Sequence, residues 1–233
     1  MNPLSWTLLD DPGAVAAAAC ERIGRAADEA IALRGAFHLV LAGGATPRRA
    51  YEQLAGTTQA WHRWHLYFGD ERCLPASHPE RNSRMVECAL TSRVPIPAGQ
   101  IHPIPAEQGA DTAAGRYART IATALPFDLV LLGIGEDGHT ASLFPGQRFA
   151  ETALVVAVHD APKPPPQRVS LHYPALNACR ALLFLVTGAG KQQAVARWRD
   201  GRSLPAAAIR PRGGGEVLLD REAAAQALPF RGS

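Results

Sequence analysis

The sequence predicts an α/β protein whose mainly parallel sheet is covered on both faces by helices. Three observations carry that reading. Short apolar runs alternate along the chain with longer helical stretches, the order expected of βαβ units. One run, residues 127–132, is apolar at nearly every position, as a strand buried on both faces must be. Four runs end in polar or glycine-rich turns, at 43–47, 70–72, 133–139 and 187–191. In a parallel sheet these carboxyl ends share one edge, where open α/β proteins bind their ligands.

Taken in order, Asp10-Asp-Pro-Gly13 starts a helix, with Asp11 as N-cap and Pro12 at the first helical position. The alanine-rich segment 15–33 continues it. Residues 37–42 are a short apolar strand, and Gly43-Gly-Ala-Thr-Pro47 then opens a helix running to Leu54. A second strand at 65–69 ends in Asp70-Glu-Arg72. The proline-rich passage 94–105 reads as an irregular connection, because proline removes backbone donors. A helix follows at 110–124. After the strand at 127–132 come strands at 154–158 and 169–171, separated by the stiff loop Ala161-Pro-Lys-Pro-Pro-Pro166. A buried strand at 181–186 enters Thr187-Gly-Ala-Gly-Lys191 and a helix to Arg199; a strand at 216–219 and a helix at 221–227 complete the chain. No internal repeat is visible and the proline loop is short, so residues 1–233 are expected to form one domain.

Composition narrows the function. A hydrophobic content of 47% with 19% charged residues is that of a soluble globular protein with room for a large core. The net charge of +3, with arginines scattered, makes no case for nucleic acid or membrane as partner. No apolar run approaches ~18 residues and the N-terminus lacks a basic-then-apolar signal, so a cytoplasmic location is expected. Cys20, Cys73, Cys88 and Cys179 form no Cys-x-x-Cys and read as free thiols in a reducing compartment. His62 and His65 have no partner ligands nearby, so no metal site is expected.

The turns carry the chemistry. Gly43-Gly-Ala-Thr46 follows a strand and opens a helix, so its N–H groups and the helix dipole suit a phosphate or another anion. Thr46 either donates its hydroxyl to that anion or caps the helix. Arg168 and Lys191 bring positive charge to the same edge. Gly188-Ala-Gly-Lys191 resembles the end of a P-loop, but Leu185 stands in place of its first glycine and Gln192 in place of its Ser/Thr. No Gly-x-Ser-x-Gly is present, which argues against a nucleophile-elbow hydrolase.

Gly133-Ile-Gly-Glu-Asp-Gly138 spells a dinucleotide fingerprint, with Asp160 about 20 residues further on. Glu136 and Asp137 would repel a pyrophosphate, however, and Pro145-Gly146 would stop the following helix. A different use of the turn fits better. Asp137 fixes the tautomer of His139 and stabilises its imidazolium, while the imidazole takes a proton from water near neutral pH.

With these turns in hand, the chain resembles the 6-phosphogluconolactonases over nearly its whole length. The resemblance runs through Leu41-Ala-Gly-Gly-Ala-Thr-Pro47, Phe68-Gly-Asp-Glu-Arg72, His78-Pro-Glu-Arg-Asn82 and residues 127–146. It continues in Pro165-Pro-Gln-Arg-Val-Ser-Leu171 and Phe184-Leu-Val-Thr-Gly-Ala-Gly-Lys191. The string Asp137-Gly-His-Thr-Ala-Ser-Leu-Phe-Pro-Gly146 is its most specific part. The resemblance implies a three-layer α/β/α fold with a mainly parallel, Rossmann-like sheet, of the glucosamine-6-phosphate deaminase-like kind. It implies hydrolysis of 6-phospho-D-glucono-1,5-lactone in the oxidative pentose phosphate pathway, with a phosphorylated sugar lactone as partner and no cofactor or metal.

Carried onto this sequence, His139 is the general base toward water, Asp137 its orienting carboxylate and Arg72 an oxyanion ligand. Gly43, Gly44, Ala45, Thr46, Arg168 and Lys191 hold the phosphate. Asp70 matches the proton-abstracting aspartate of the related deaminases; here it is expected to bind sugar hydroxyls or to hold Arg72. Ala45 departs from the family's usual Ser or Thr, which removes one hydroxyl from the phosphate turn or leaves it to Thr46. The main alternative is a glucosamine-6-phosphate deaminase, whose matching turn reads Asp-Gly-His-Ile-Ala-Phe-Asn-Glu-Pro-Gly. This chain has Phe144 where that glutamate stands, so the ring-opening pair is incomplete. A sugar-phosphate sensor without turnover is disfavoured by the retained Asp137/His139 pair.

Overall fold

The computed structural model describes residues 4–225. Its elements, in chain order, are β1 (Leu4–Leu9), α1 (Pro12–Arg34), β2 (Phe37–Leu41), α2 (Ala45–Leu54), β3 (Trp64–Phe68), β4 (Asp70–Arg72), α3 (Asn82–Val86), β5 (Ile101–His102) and α4 (Ala110–Ala122). They continue with β6 (Phe127–Leu132), β7 (Val155–Val158), β8 (Arg168–Leu171), α5 (Tyr173–Asn177), β9 (Cys179–Val186), α6 (Gln192–Arg199), β10 (Gly215–Asp220) and α7 (Arg221–Ala224). The central sheet is parallel throughout, in the order β1-β10-β9-β6-β2-β3-β5. All six residues of β6 are buried, so helices cover both faces there. From β2 the chain steps outward through β3 to β5, and from β6 it steps the other way through β9 to β10. The boundary between β2 and β6 is therefore the topological switch point, and the crevice beyond their carboxyl ends is the expected ligand site.

Helix α1 begins as read. Asp11 is extended and accepts from the Ala14 N–H at 2.8 Å, with Pro12 opening the helix. Val15, Ala19, Ile23, Ala27 and Ala30 recur at helical spacing and are buried against the sheet, alanine allowing close approach. Gly35, at φ 79°, ends the helix, its N–H returning to the Ile31 carbonyl.

The strands at 155–158 and 168–171 do not join the central sheet. They pair antiparallel with each other, and β8 with β4, as a second sheet β4-β8-β7. Four features escape a reading of local pattern. β1 is an edge strand only partly buried, so its sequence shows no clean apolar face. α3 and the π-helical turn after it (Glu87–Thr91) have no N-cap side chain of their own. β5 is two residues long inside the proline-rich passage. The helix expected to 227 is described to Ala224, and positions 226 and 227 lie outside the described residues.

Two buried tyrosines finish the strands that lead to the site. Tyr51 Oη accepts from the Ala42 N–H and donates to the Ala42 carbonyl, both at 3.0 Å, one residue before the Gly43 turn. Tyr117 Oη accepts from the Phe68 N–H at 2.7 Å, two residues before Asp70. Each phenol satisfies backbone where the ladder stops. Burial pushes both above their ordinary range, so they stay neutral donors.

Near the opposite, amino ends of the strands, His38, His65 and His102 form a stacked row across β2, β3 and β5. The ring centroids lie 4.8 Å and 5.8 Å apart, with Tyr67 stacked on His102 at 4.6 Å. Burial, then neighbouring imidazole charge at His38 and His102, holds these rings below the ordinary 6.5. A folded-state pKa below the unfolded one means that the unfolded chain takes up protons first as pH falls. The stabilisation is complete above about pH 6.5 and is lost on acidification through the lower folded values. Urea midpoints measured from neutral pH downward are expected to fall, and less steeply in His102→Gln. Equal slopes for the two proteins would remove the row as the cause.

Candidate active site

At the switch point, the turn after β2 presents Gly43 and Gly44. A methyl group at Gly43 would overlap the Asn82 side chain, with 2.7 Å to its Cγ, so the close approach of α3 requires glycine here. Gly44, at φ 109°, is the N-cap of α2 and supplies no side-chain acceptor. The first turn of α2 thus carries no side-chain cap at its N-terminus, the arrangement that an anion site at a helix start uses. Thr46 does not cap the helix. Its Oγ1 lies 2.6 Å from Thr187 Oγ1 and ties this turn to the one after β9.

The turn after β6 is folded on itself. The Gly135 N–H donates to the His139 carbonyl at 2.8 Å, the Gly138 N–H to Gly135 at 3.0 Å, and Thr140 Oγ1 to Gly133 at 2.8 Å. His139 Nδ1 sits 2.5 Å from Asp137 Oδ1, which also accepts the His139 N–H at 3.0 Å. Burial raises the Asp137 pKa, but these bonds and the charge of His139 outweigh it and hold the carboxyl below its usual range. A methyl on Gly135 would overlap the His139 ring and stand 2.7 Å from Asp137 Oδ1. The ring's other side meets Phe144, 4.6 Å between centroids. No helix follows Gly138, and Asp160 follows β7 in the second sheet. The glycine string is a closed loop here, without the helix N-terminus that a pyrophosphate needs.

The second sheet brings the cations. Arg72 on β4 and Arg168 on β8 are cross-strand partners, a like-charge pairing that favours an anion between or beside them. Arg168, one residue before the expected strand, is the first residue of β8 and is nearly buried. Its Nε donates to the Pro165 carbonyl at 3.1 Å, and its Nη2 to Lys163 at 2.9 Å and Pro164 at 3.2 Å. Its Cζ is 5.7 Å from the Phe144 ring centroid. Burial holds this guanidinium below its ordinary range, opposed by Asp70. Burial likewise lowers Lys191, opposed by Glu136. Lys163 Nζ reaches Glu136 at 3.6 Å.

Asp70 does not hold Arg72. The Arg72 guanidinium donates to the Glu80 carbonyl at 2.7 Å, with the Glu80 carboxylate 3.9 Å away. Asp70 is instead held by Asn82 and Ser142. Behind it, the fully buried Glu71 accepts from the N–H groups of Arg72, Asn82 and Ser83 at 2.8–2.9 Å. Glu71 thereby supplies the cap that α3 lacks. Arg81 Nε faces the same carboxylate at 3.4 Å as a charge contact, while its Nη1 bonds Glu107 at 2.8 Å.

These elements enclose an open cleft of about 520 Å³. Gly43, Gly44, Ala45, Thr46, Asp70, Arg72, His139, Arg168 and Lys191 all line it; Asp137 stands behind His139. The lining also includes Asn82, Lys163 and Thr187, to which the sequence reading assigned no role. Asn82 and Lys163 lie in a loop-borne motif and a proline loop whose approach to the sheet has no local signature. Four cationic side chains face one carboxylate in this lining, so the cleft carries an excess of positive charge. Among the described residues, no group of three or more His, Cys, Asp or Glu could hold a metal ion. No helix among them is long and apolar enough to cross a membrane.

Residues 10–219 match the family model described as glucosamine-6-phosphate isomerases/6-phosphogluconolactonase. The chain is 39% identical to 6-phosphogluconolactonase of Mycobacterium tuberculosis, over 95% of this chain and 98% of that one. The human 6-phosphogluconolactonase is 37% identical, covering 84% and 83%. The crystal structure of 6-phosphogluconolactonase from Thermotoga maritima superposes with a TM-score of 0.87 at 30% identity, over 94% of this chain and all of that one. A monomeric glucosamine-6-phosphate deaminase superposes with a TM-score of 0.83 at 21% identity, over 96% of this chain, and shares the fold. By sequence and by fold, this chain belongs to the glucosamine-6-phosphate isomerase/6-phosphogluconolactonase family.

Proposed function

We propose that His139 is the general base of a lactonase that hydrolyses 6-phospho-D-glucono-1,5-lactone to 6-phospho-D-gluconate, in the oxidative pentose phosphate pathway. One observation carries the mechanism: an imidazole fixed by a carboxylate opens onto the same cleft as four cations and an uncapped helix N-terminus. With Nδ1 turned to Asp137, an ionised carboxylate that can only accept, Nδ1 carries the proton in this reading and Nε2 is left as the base. Water attacks C1 and gives its proton to Nε2. The tetrahedral intermediate collapses with cleavage of the bond from C1 to the ring oxygen, which takes that proton back. Arg72, steadied by Glu80, stabilises the oxyanion. Gly43, Gly44, Ala45, Thr46, Arg168 and Lys191 hold the 6-phosphate, with Lys163 as a further cation at the rim. Remote binding of this kind positions the lactone for attack. We take residues 1–233 as one such domain, working in the cytoplasm.

The testing experiment follows loss of fresh 6-phosphogluconolactone above its spontaneous hydrolysis; no acceleration would sink the reading. Ammonia release from glucosamine 6-phosphate is expected to be absent, because the Phe144 ring packs against His139 where ring opening requires a carboxylate. Lys191→Ala and Arg168→Ala are expected to raise KM for the phosphorylated lactone far more than for unphosphorylated gluconolactone. If both variants discriminate between the two lactones as the parent does, these residues do not bind phosphate.

A further inference from the structure

We propose that Ser142 is a positioning residue for the lactone reaction: it fixes the Asp70 side chain with an acceptor face turned into the cleft, where it receives a hydroxyl of the sugar ring. The inference rests on the lactonase reading above. Ser142 is fully buried and does not line the cleft, whereas Asp70 does. The Ser142 hydroxyl donates to Asp70 Oδ2 at 2.6 Å. On the other side, Asn82 Nδ2 donates to Asp70 Oδ1 and to the Asp70 carbonyl, both at 3.0 Å. Each oxygen of the carboxylate is thus fixed by one donor and keeps further acceptor capacity.

Ser142 is itself aimed. Its N–H donates to Ser170 Oγ at 3.1 Å, and the turn around it closes through the Leu143 N–H to Thr140 at 2.9 Å. The preceding Ala141 has φ 47°, a left-handed conformation that a residue with a Cβ adopts at a cost. Three elements therefore converge on one buried carboxylate: α3, the turn after β6, and β8. The groups facing it are Glu71 beside it on β4, Arg168 on β8, and His139 on the turn. Burial raises the Asp70 pKa above its ordinary value, with Glu71 adding to the rise, and the Ser142 hydroxyl leads the groups that oppose it. Ser142 also stands where the deaminase turn carries Phe, which has no hydroxyl to give.

The test compares kcat/KM for 6-phosphogluconolactone with that for its 2-deoxy, 3-deoxy and 4-deoxy analogues in the parent, Ser142→Ala and Asp70→Asn. The parent is expected to reject one deoxy analogue by roughly 10- to 100-fold. That ratio is expected to shrink about tenfold in both variants, while the ratios for the other analogues hold. A purely structural Ser142 would lower all rates together and leave the ratios alone, and that result overturns the proposal. Should Ser142→Ala fail to fold, Asp70→Asn decides alone: an undiminished ratio overturns it too. A parent protein that does not hydrolyse the lactone at all would instead remove the lactonase reading.

Discussion

His139→Ala is expected to lower turnover of 6-phosphogluconolactone by about 10²–10⁴-fold with a modest change in KM, the range that general acid–base help supplies. The expectation follows from where the ring sits. Asp137 holds Nδ1, Phe144 covers one face, and the imidazole lines the cleft that the cations share. Removing it deletes the proposed proton acceptor but leaves the proposed phosphate cradle intact, so loss should fall on kcat. Asp137→Asn should lose less than His139→Ala, because the base remains but its tautomer is no longer imposed. Steady-state kinetics above the spontaneous rate decide the matter: near-parental turnover in His139→Ala would take this residue out of the mechanism.

Glu71→Ala is expected to destabilise the fold by about 3–5 kcal/mol, as removal of one partner from a buried charge pair does. Glu71 is completely buried and Arg81 2% exposed. The carboxylate also receives three backbone N–H groups, two of them from the first turn of α3. Truncation leaves those donors without an acceptor and Arg81 beside a void, while Glu107 remains as its partner. Because α3 delivers Asn82 to Asp70 and to the Gly43 turn, the folded fraction should also bind substrate poorly. Urea denaturation of parent and variant measures the first effect; a midpoint within error of the parent would show that the buried pair contributes nothing.

Much of this architecture is legible locally. The alternation of apolar runs with helices places every strand of the central sheet except the edge strands β1 and β5, because two-sided burial demands apolar residues at nearly every position. Asp11 and Pro12 mark the start of α1 because capping is a contact between near neighbours. Asp137 and His139 meet for the same reason: two residues apart in a glycine turn, they need no distant partner. The Gly43 turn is legible as an uncapped helix start after a strand.

What remained hidden depends on contacts between distant segments. The cap of α3 is Glu71, eleven residues before Asn82, so no sequence window around 82 shows it. The pairing of β4 with β8, which sets Arg72 opposite Arg168, joins segments almost a hundred residues apart. The Arg72–Glu80 contact and the Ser142–Asp70 bond are likewise products of packing. By itself, the sequence determined the parallel sheet, the glycine turn that opens α2 and the carboxylate–histidine pair, since each rests on periodicity or on neighbours along the chain. Only the tertiary structure decided which buried donors hold Asp70, where the cations stand and which glycines admit no side chain. Those are questions of distance between elements, and distance is set by the packing of the whole core.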